Sequence, residues 1–141
     1  MSISVETIVA QAREWIGVPY LHQGRSRVGC DCLGFIATML NELGVDLALR
    51  NLPLNYGADP QELLVATLSR LCRNIALQPG ALVAIKFPHG KFASHAAIYT
   101  GDSMIHCYRN VGKVVEHGYR GAWPRLAESI WAMPYVKYSR E

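Results

Sequence analysis

The chain has 141 residues, half of them apolar and 18% charged, a balance that excludes a disordered tail and fits one globular domain over residues 1–141. Its formal charge of +3 is spread thinly, with Arg25 and Arg27 the nearest thing to a pair, which gives no support to a nucleic-acid groove. No run approaches the ~18 apolar residues of a membrane span.

Residues 4–16 are expected to form a helix. Val5, Ile8, Val9, Ala12, Trp15 and Ile16 recur at helical spacing, Ser4 can cap the start, and Gly17 with Pro19 stops it. Gly17, Pro19, Gly24 and Gly29 mark residues 17–30 as an irregular loop. A second helix is expected over 32–43. Leu33, Ile36, Leu40 and Leu43 form its buried stripe, Asp31 is a good N-cap, and Gly44 suits the position just past its end. The run Asp59-Pro60-Gln61-Glu62 announces a third helix reaching Cys72 or Arg73.

After Pro79-Gly80 the period changes. Residues 81–87, 95–100, 103–108, 113–119 and 132–138 are short runs rich in β-branched or aromatic residues, separated by glycine, proline or Gly101-Asp102-type turns. Helices first and strands afterwards define an α+β domain, with N-terminal helices packed on a C-terminal antiparallel β-sheet. The segment 118–130, with Trp123 and Pro124, either walls a cleft or covers a sheet edge.

Cys32 carries the strongest chemical signal. It sits at the first turn of a helix behind a glycine-rich loop, where the positive end of the helix dipole favours a thiolate. A thiolate nucleophile needs a base in hydrogen-bond reach and a third group to hold that base in one tautomer. His95 opens a strand and His106 follows beyond the Gly101-Asp102 turn, so a hairpin would bring the two together on one sheet face. His22, His89 and His117 read as solvated. Cys30, two residues from Cys32, reads as a loop thiol, with a redox lock as the alternative. The four cysteines Cys30, Cys32, Cys72 and Cys107 are expected to be free. Zinc is not expected: Cys30 and Cys32 are one residue too close, and His106 and Cys107 point to opposite faces of a strand.

These segments carry a resemblance. Trp15-Ile16-Gly17-Val18-Pro19-Tyr20, Gly24-Arg25-Ser26 and Asp31-Cys32-Leu33-Gly34-Phe35 resemble the nucleophile region of NlpC-type cell-wall cysteine peptidases. Pro79-Gly80-Ala81-Leu82-Val83 with Ser94-His95-Ala96-Ala97-Ile98-Tyr99 resembles their base-bearing hairpin, and Met104-Ile105-His106 the strand with their third polar residue. The likeness runs from about residue 8 to about residue 120.

What the resemblance implies is a papain-like fold with Cys32 as nucleophile, His95 as base and His106 as the residue orienting it, without cofactor or metal. The substrate would be the peptide stem of bacterial peptidoglycan, commonly its γ-D-glutamyl–diamino acid bond, contacted by Tyr20, Asp31 and Ser94. Leu33 stands where the family usually has serine, so its preference for a free amino terminus is not carried over. The segments around His22 and Met104 look most like the compact peptidases of phage tails and gene transfer agents. The partners implied are phage-like tail proteins. The start Met1-Ser2-Ile3-Ser4 lacks an export signal, which implies synthesis in the cytoplasm and delivery to the wall in a particle. The alternatives are a catalytically silent structural tail-tip module and a related thiol amidase or acyltransferase.

Overall fold

The computed structural model describes residues 2–46, 52–53 and 63–140. The first helix, α1 (Val5–Arg13), begins where expected: the Ser4 hydroxyl accepts the Thr7 amide at 3.1 Å. Its regular part is shorter than the periodicity implies, and turns carry the chain on to Gly17, whose φ of +97° is a left-handed conformation that favours glycine. A two-residue strand, β1 (Ile3–Ser4), precedes it.

The expected loop holds a small hairpin, β2 (Arg25–Ser26) against β3 (Gly29–Cys30), which delivers the chain to α2 (Cys32–Glu42). Asp31 caps α2 by accepting the Gly34 amide at 2.7 Å, and Gly44 follows at φ +91°. Glu42, at the far end of α2, accepts from Trp15 Nε1 at 2.8 Å and Gln11 at 2.9 Å, and from Arg27 at 2.6 Å, with the Arg27 guanidinium 4.8 Å over the Trp15 ring. This one carboxylate ties both helices to the turn between β2 and β3. The third helix, α3 (Leu63–Leu71), ends one residue before the earlier of the two expected ends; its predicted start at Asp59 lies outside the described residues.

Six strands form the main sheet: β4 (Arg73–Asn74), β5 (Leu82–Ile85), β6 (His95–Tyr99), β7 (Ser103–Tyr108), β8 (Lys113–Gly118) and β9 (Ala127–Ala132). Every pairing is antiparallel, in the order β4-β9-β5-β6-β7-β8. The last strand expected from sequence, 132–138, is corrected. β9 ends at Ala132, and after a turn β10 (Val136–Lys137) pairs in parallel with β1. A short helix, α4 (Trp123–Leu126), precedes β9.

Strand alternation separates the two faces of the sheet. Leu82, Ala84, Ala96, Ile98, Ile105, Cys107 and Val114 pack with Ile8, Ala12, Phe35, Ile36, Met39, Leu40, Leu64 and Leu68 in the core shared with the helices. Val83, Ile85, Ala97 and Met104 face the other way, under Phe87, Tyr99, Trp123 and Leu126. Among the described residues no helix is long and apolar enough to cross a membrane.

Candidate active site

The approach to Cys32 is fixed by backbone pairing. Tyr20 bridges Cys30, and Pro19 bridges Lys113, which is itself paired with Tyr108. Gly24 supplies a carbonyl to the Asp31 amide at 3.1 Å. The run from Cys30 to Cys32 is thereby held over the end of the sheet where β7 finishes. Cys30 is fully buried, its Sγ 3.6 Å from Cys107 Sγ, and the Cys107 thiol donates to the Cys30 carbonyl at 3.1 Å. The expected loop thiol is therefore a packed strand residue. Its hydrogen bond, with burial second, pushes the Cys107 thiol pKa up. All four cysteines are free.

On the opposite face of the same strand end stand the histidines. His95 Nε2 lies 2.7 Å from His106 Nδ1, and His106 Nε2 lies 2.8 Å from His117 Nε2. The line ends at the Gly118 carbonyl, 3.0 Å from His117 Nδ1. Burial lowers the His95 pKa to about 4. His106 is pushed down to about 2, by burial first and then by the neighbouring rings of His95 and His117. Both rings are therefore neutral at pH 7. Tyr108 stacks on His106 at 5.1 Å between centroids, and Trp123 stands 5.2 Å from His106 and 5.4 Å from His117. Phe87 packs on His95 at 5.8 Å.

The hairpin expected to join His95 and His106 is present. The reading of His117 as solvated is corrected: the ring is half-buried and third in the line. One signal would have found it. His117 follows His106 by the same eleven residues that separate His106 from His95, so two successive hairpins repeat one diagonal contact. The segment 118–130 covers the histidine face, through Trp123, and also supplies β9. His22 and His89 are exposed, as expected.

Of the remaining site candidates, Asp31 is buried at the helix cap. Tyr20 is half-buried; burial raises its phenol pKa, with smaller contributions from the Asp31 carboxylate and Cys32. Ser94 donates its amide to Ile85 beside His95. Cys32 and His95 keep 4% and 6% of their surface, whereas His106 keeps none, so only the first two touch solvent. Among the described residues no group of three His, Cys, Asp or Glu side chains is arranged to hold a metal ion.

Helices packed on an antiparallel sheet, with a cysteine at a helix start and paired histidines on adjacent strands, define the class, and the chain belongs to the NlpC/P60 family, whose model matches residues 17–140. It is 31% identical over 104 residues to a curated relative from Escherichia coli (strain K12) named "Probable endopeptidase NlpC", covering 72% of this chain and 60% of the relative's length. Among solved structures, an NlpC/P60 family protein from Bacillus cereus ATCC 10987 superposes with a TM-score of 0.70 at 24% identity, over 92% of this chain and 40% of that one. The peptidoglycan hydrolase RipB from Mycobacterium tuberculosis gives 0.63 at 20% identity, over 95% of this chain and 65% of that one. At these identities the structural likeness is one of fold.

Proposed function

We propose that the chain is a cysteine peptidase that hydrolyses the peptide stems of bacterial peptidoglycan, with Cys32 as nucleophile, His95 as base and His106 holding the base in place. The observation that carries the reading is the 2.7 Å bond between His95 and His106 at the end of the sheet over which the start of α2 is held. His95 is the first residue of its strand, at the margin of the sheet that the Cys32 thiol must reach.

The chemistry follows from the groups present. The imidazole of His95 takes the Cys32 proton, and the thiolate, favoured by the amino end of α2, attacks the peptide carbonyl carbon. The tetrahedral adduct collapses as the C–N bond breaks, and the leaving amine takes the proton from His95. Water, deprotonated by the same ring, then cleaves the thioester and the thiolate departs. Burial lowers the His95 pKa, so at pH 7 its ring is in the neutral form that carries a lone pair.

Support for the substrate comes from the family and from relatives named as a "peptidoglycan hydrolase" and a "Probable endopeptidase". The finer reading is cleavage between γ-D-glutamate and the diamino acid, with Tyr20, Asp31 and Ser94 against the stem, in a protein carried on a phage-like tail. The bond and the contacts are those the family resemblance implies, and the tail reading rests on the likeness of the segments around His22 and Met104 to the compact peptidases of phage tails and gene transfer agents. Incubation with defined muropeptides followed by mass spectrometry tests both levels. Wild type is expected to release the two halves of the stem, while Cys32→Ala releases neither. Equal release by Cys32→Ala overturns the reading, and cleavage at another bond overturns only the finer one.

A further inference from the structure

Three imidazoles in line, taken in the neutral form, leave the direction of their hydrogen bonds open, because each neutral ring has one N–H and one lone pair. A fixed acceptor at the end of the line removes that freedom. A carbonyl oxygen only accepts, so the 3.0 Å contact of His117 Nδ1 with Gly118 requires the proton on Nδ1. His117 Nε2 is left with its lone pair. His106 Nε2, 2.8 Å away, must donate to it, and His106 Nδ1 becomes an acceptor. His95 Nε2, at 2.7 Å, donates in turn. The lone pair of His95 therefore sits on Nδ1, at the end of the line away from Gly118.

We propose that His117 is a positioning residue: through His106 it passes on the direction set by the Gly118 carbonyl, and so keeps Nδ1 of His95 unprotonated and ready to take the Cys32 proton. The inference rests on the reading of His95 as the base for Cys32. The reverse direction would set the lone pair of His117 Nδ1 against the carbonyl oxygen and forfeit a hydrogen bond. Ring flips that would exchange the nitrogens are opposed by packing. Tyr108 lies nearly parallel to His106, at 15°, and Trp123 touches both His106 and His117. Glu116, the nearest carboxylate in sequence, is committed elsewhere, accepting from Arg13 at 3.0 Å and from Ser103 at 2.6 Å.

Nitrogen-15 NMR of the histidine-labelled protein at about pH 8, where an ordinary imidazole is neutral, reads the tautomers directly. The expected result is Nδ1–H on His117 and Nε2–H on His106 and His95. Two variants link this to catalysis. His117→Gln offers an amide oxygen to His106 and is expected to keep most of the activity. His117→Leu removes the acceptor, and kcat should fall roughly ten- to a hundredfold with KM little changed, while His95 shows mixed tautomers. Nε2–H on His117 in the wild type overturns the proposal, as does His117→Leu with unaltered kcat and an unaltered His95 tautomer. The stated tautomers in a protein that cleaves no stem peptide support the relay and overturn only the peptidase reading.

Discussion

His95 and His106 meet across a diagonal of the sheet: their ring nitrogens are 2.7 Å apart, although neither is the other's opposed residue. The ladder pairs Ile98 with Ile105 and Tyr99 with Met104, which sets His95 against Tyr108 and His106 against Ala97. Diagonal neighbours on one face are within reach of long or aromatic side chains. Removing His106 frees the His95 ring to rotate and to change tautomer. His106→Ala should lower kcat about a hundredfold with the circular dichroism of the fold retained, and His106→Asn, whose amide oxygen can accept from His95, should lose less. Steady-state rates on a stem peptide check this; an Ala variant as fast as wild type would contradict it.

The same two histidines set the response to acid. Each is held below its ordinary pKa by burial, His95 at about 4 and His106 at about 2. The unfolded chain takes up these protons near pH 6.5 and the folded protein only at lower pH. Stability is therefore full above pH 6.5 and is lost as the pH falls through the folded values. For His95 alone the loss by pH 4 is on the order of 3 kcal/mol. Urea unfolding at a series of pH values should show this decline, and His95→Gln should flatten it. A decline of equal steepness in His95→Gln would exclude His95 as its source.

Asp31 has one duty seen in the structure, the helix cap, and a second that belongs to the proposed function. As a cap, its carboxylate accepts the Gly34 amide, and Asp31→Ala should cost about 1–2 kcal/mol, while Asp31→Asn keeps the bond and nearly all the stability. If Asp31 also meets the stem peptide, as proposed, its charge rather than its hydrogen bond is what acts there. Asp31→Asn should then raise KM for stem peptides with a free amine while melting near the wild-type temperature. An unchanged KM would reduce Asp31 to its structural role.

Gly34 is required by close approach. A Cβ there would collide with the backbone oxygen of Gly24, in the loop that leads to β2, and crowd the Asp31 carboxylate. Gly34→Ala must push α2 away from that loop and should be among the more damaging single substitutions, at roughly 3 kcal/mol or more. Thermal melting tests it, and a Gly34→Ala protein melting within a few degrees of wild type would show that the loop yields.

Features governed by local rules were legible in the sequence. The caps at Ser4 and Asp31, the glycine after α2 and the hairpin joining His95 to His106 depend on residues within a turn or a strand of one another. Features set by distant partners were not. β9 contains Glu128 and Ser129 and follows a Trp-Pro pair, so its strand character depends on pairing with β5 and β4. The two-residue strands β1 and β10 exist only as each other's partner across the length of the chain. His117 looked solvated because an outer strand usually is; the ring is covered by Trp123, delivered by a four-residue helix that no periodicity announces. Cys30 looked like a loop thiol because its burial depends on Cys107.

Activation of the Cys32 thiol by His95, on which the proposed function depends, is read by the rate of its alkylation by iodoacetamide as a function of pH. Peptide mapping separates Cys32 from the buried Cys30 and Cys107 and from Cys72, whose thiol burial pushes up to about 12. Cys32 should be labelled fastest of the four, with substantial reaction already below pH 7, and His95→Gln should move its profile toward that of an ordinary thiol near pH 8.5. Labelling of Cys32 no faster than Cys72, or a profile indifferent to His95→Gln, would show that the sulfur and the imidazole do not act together.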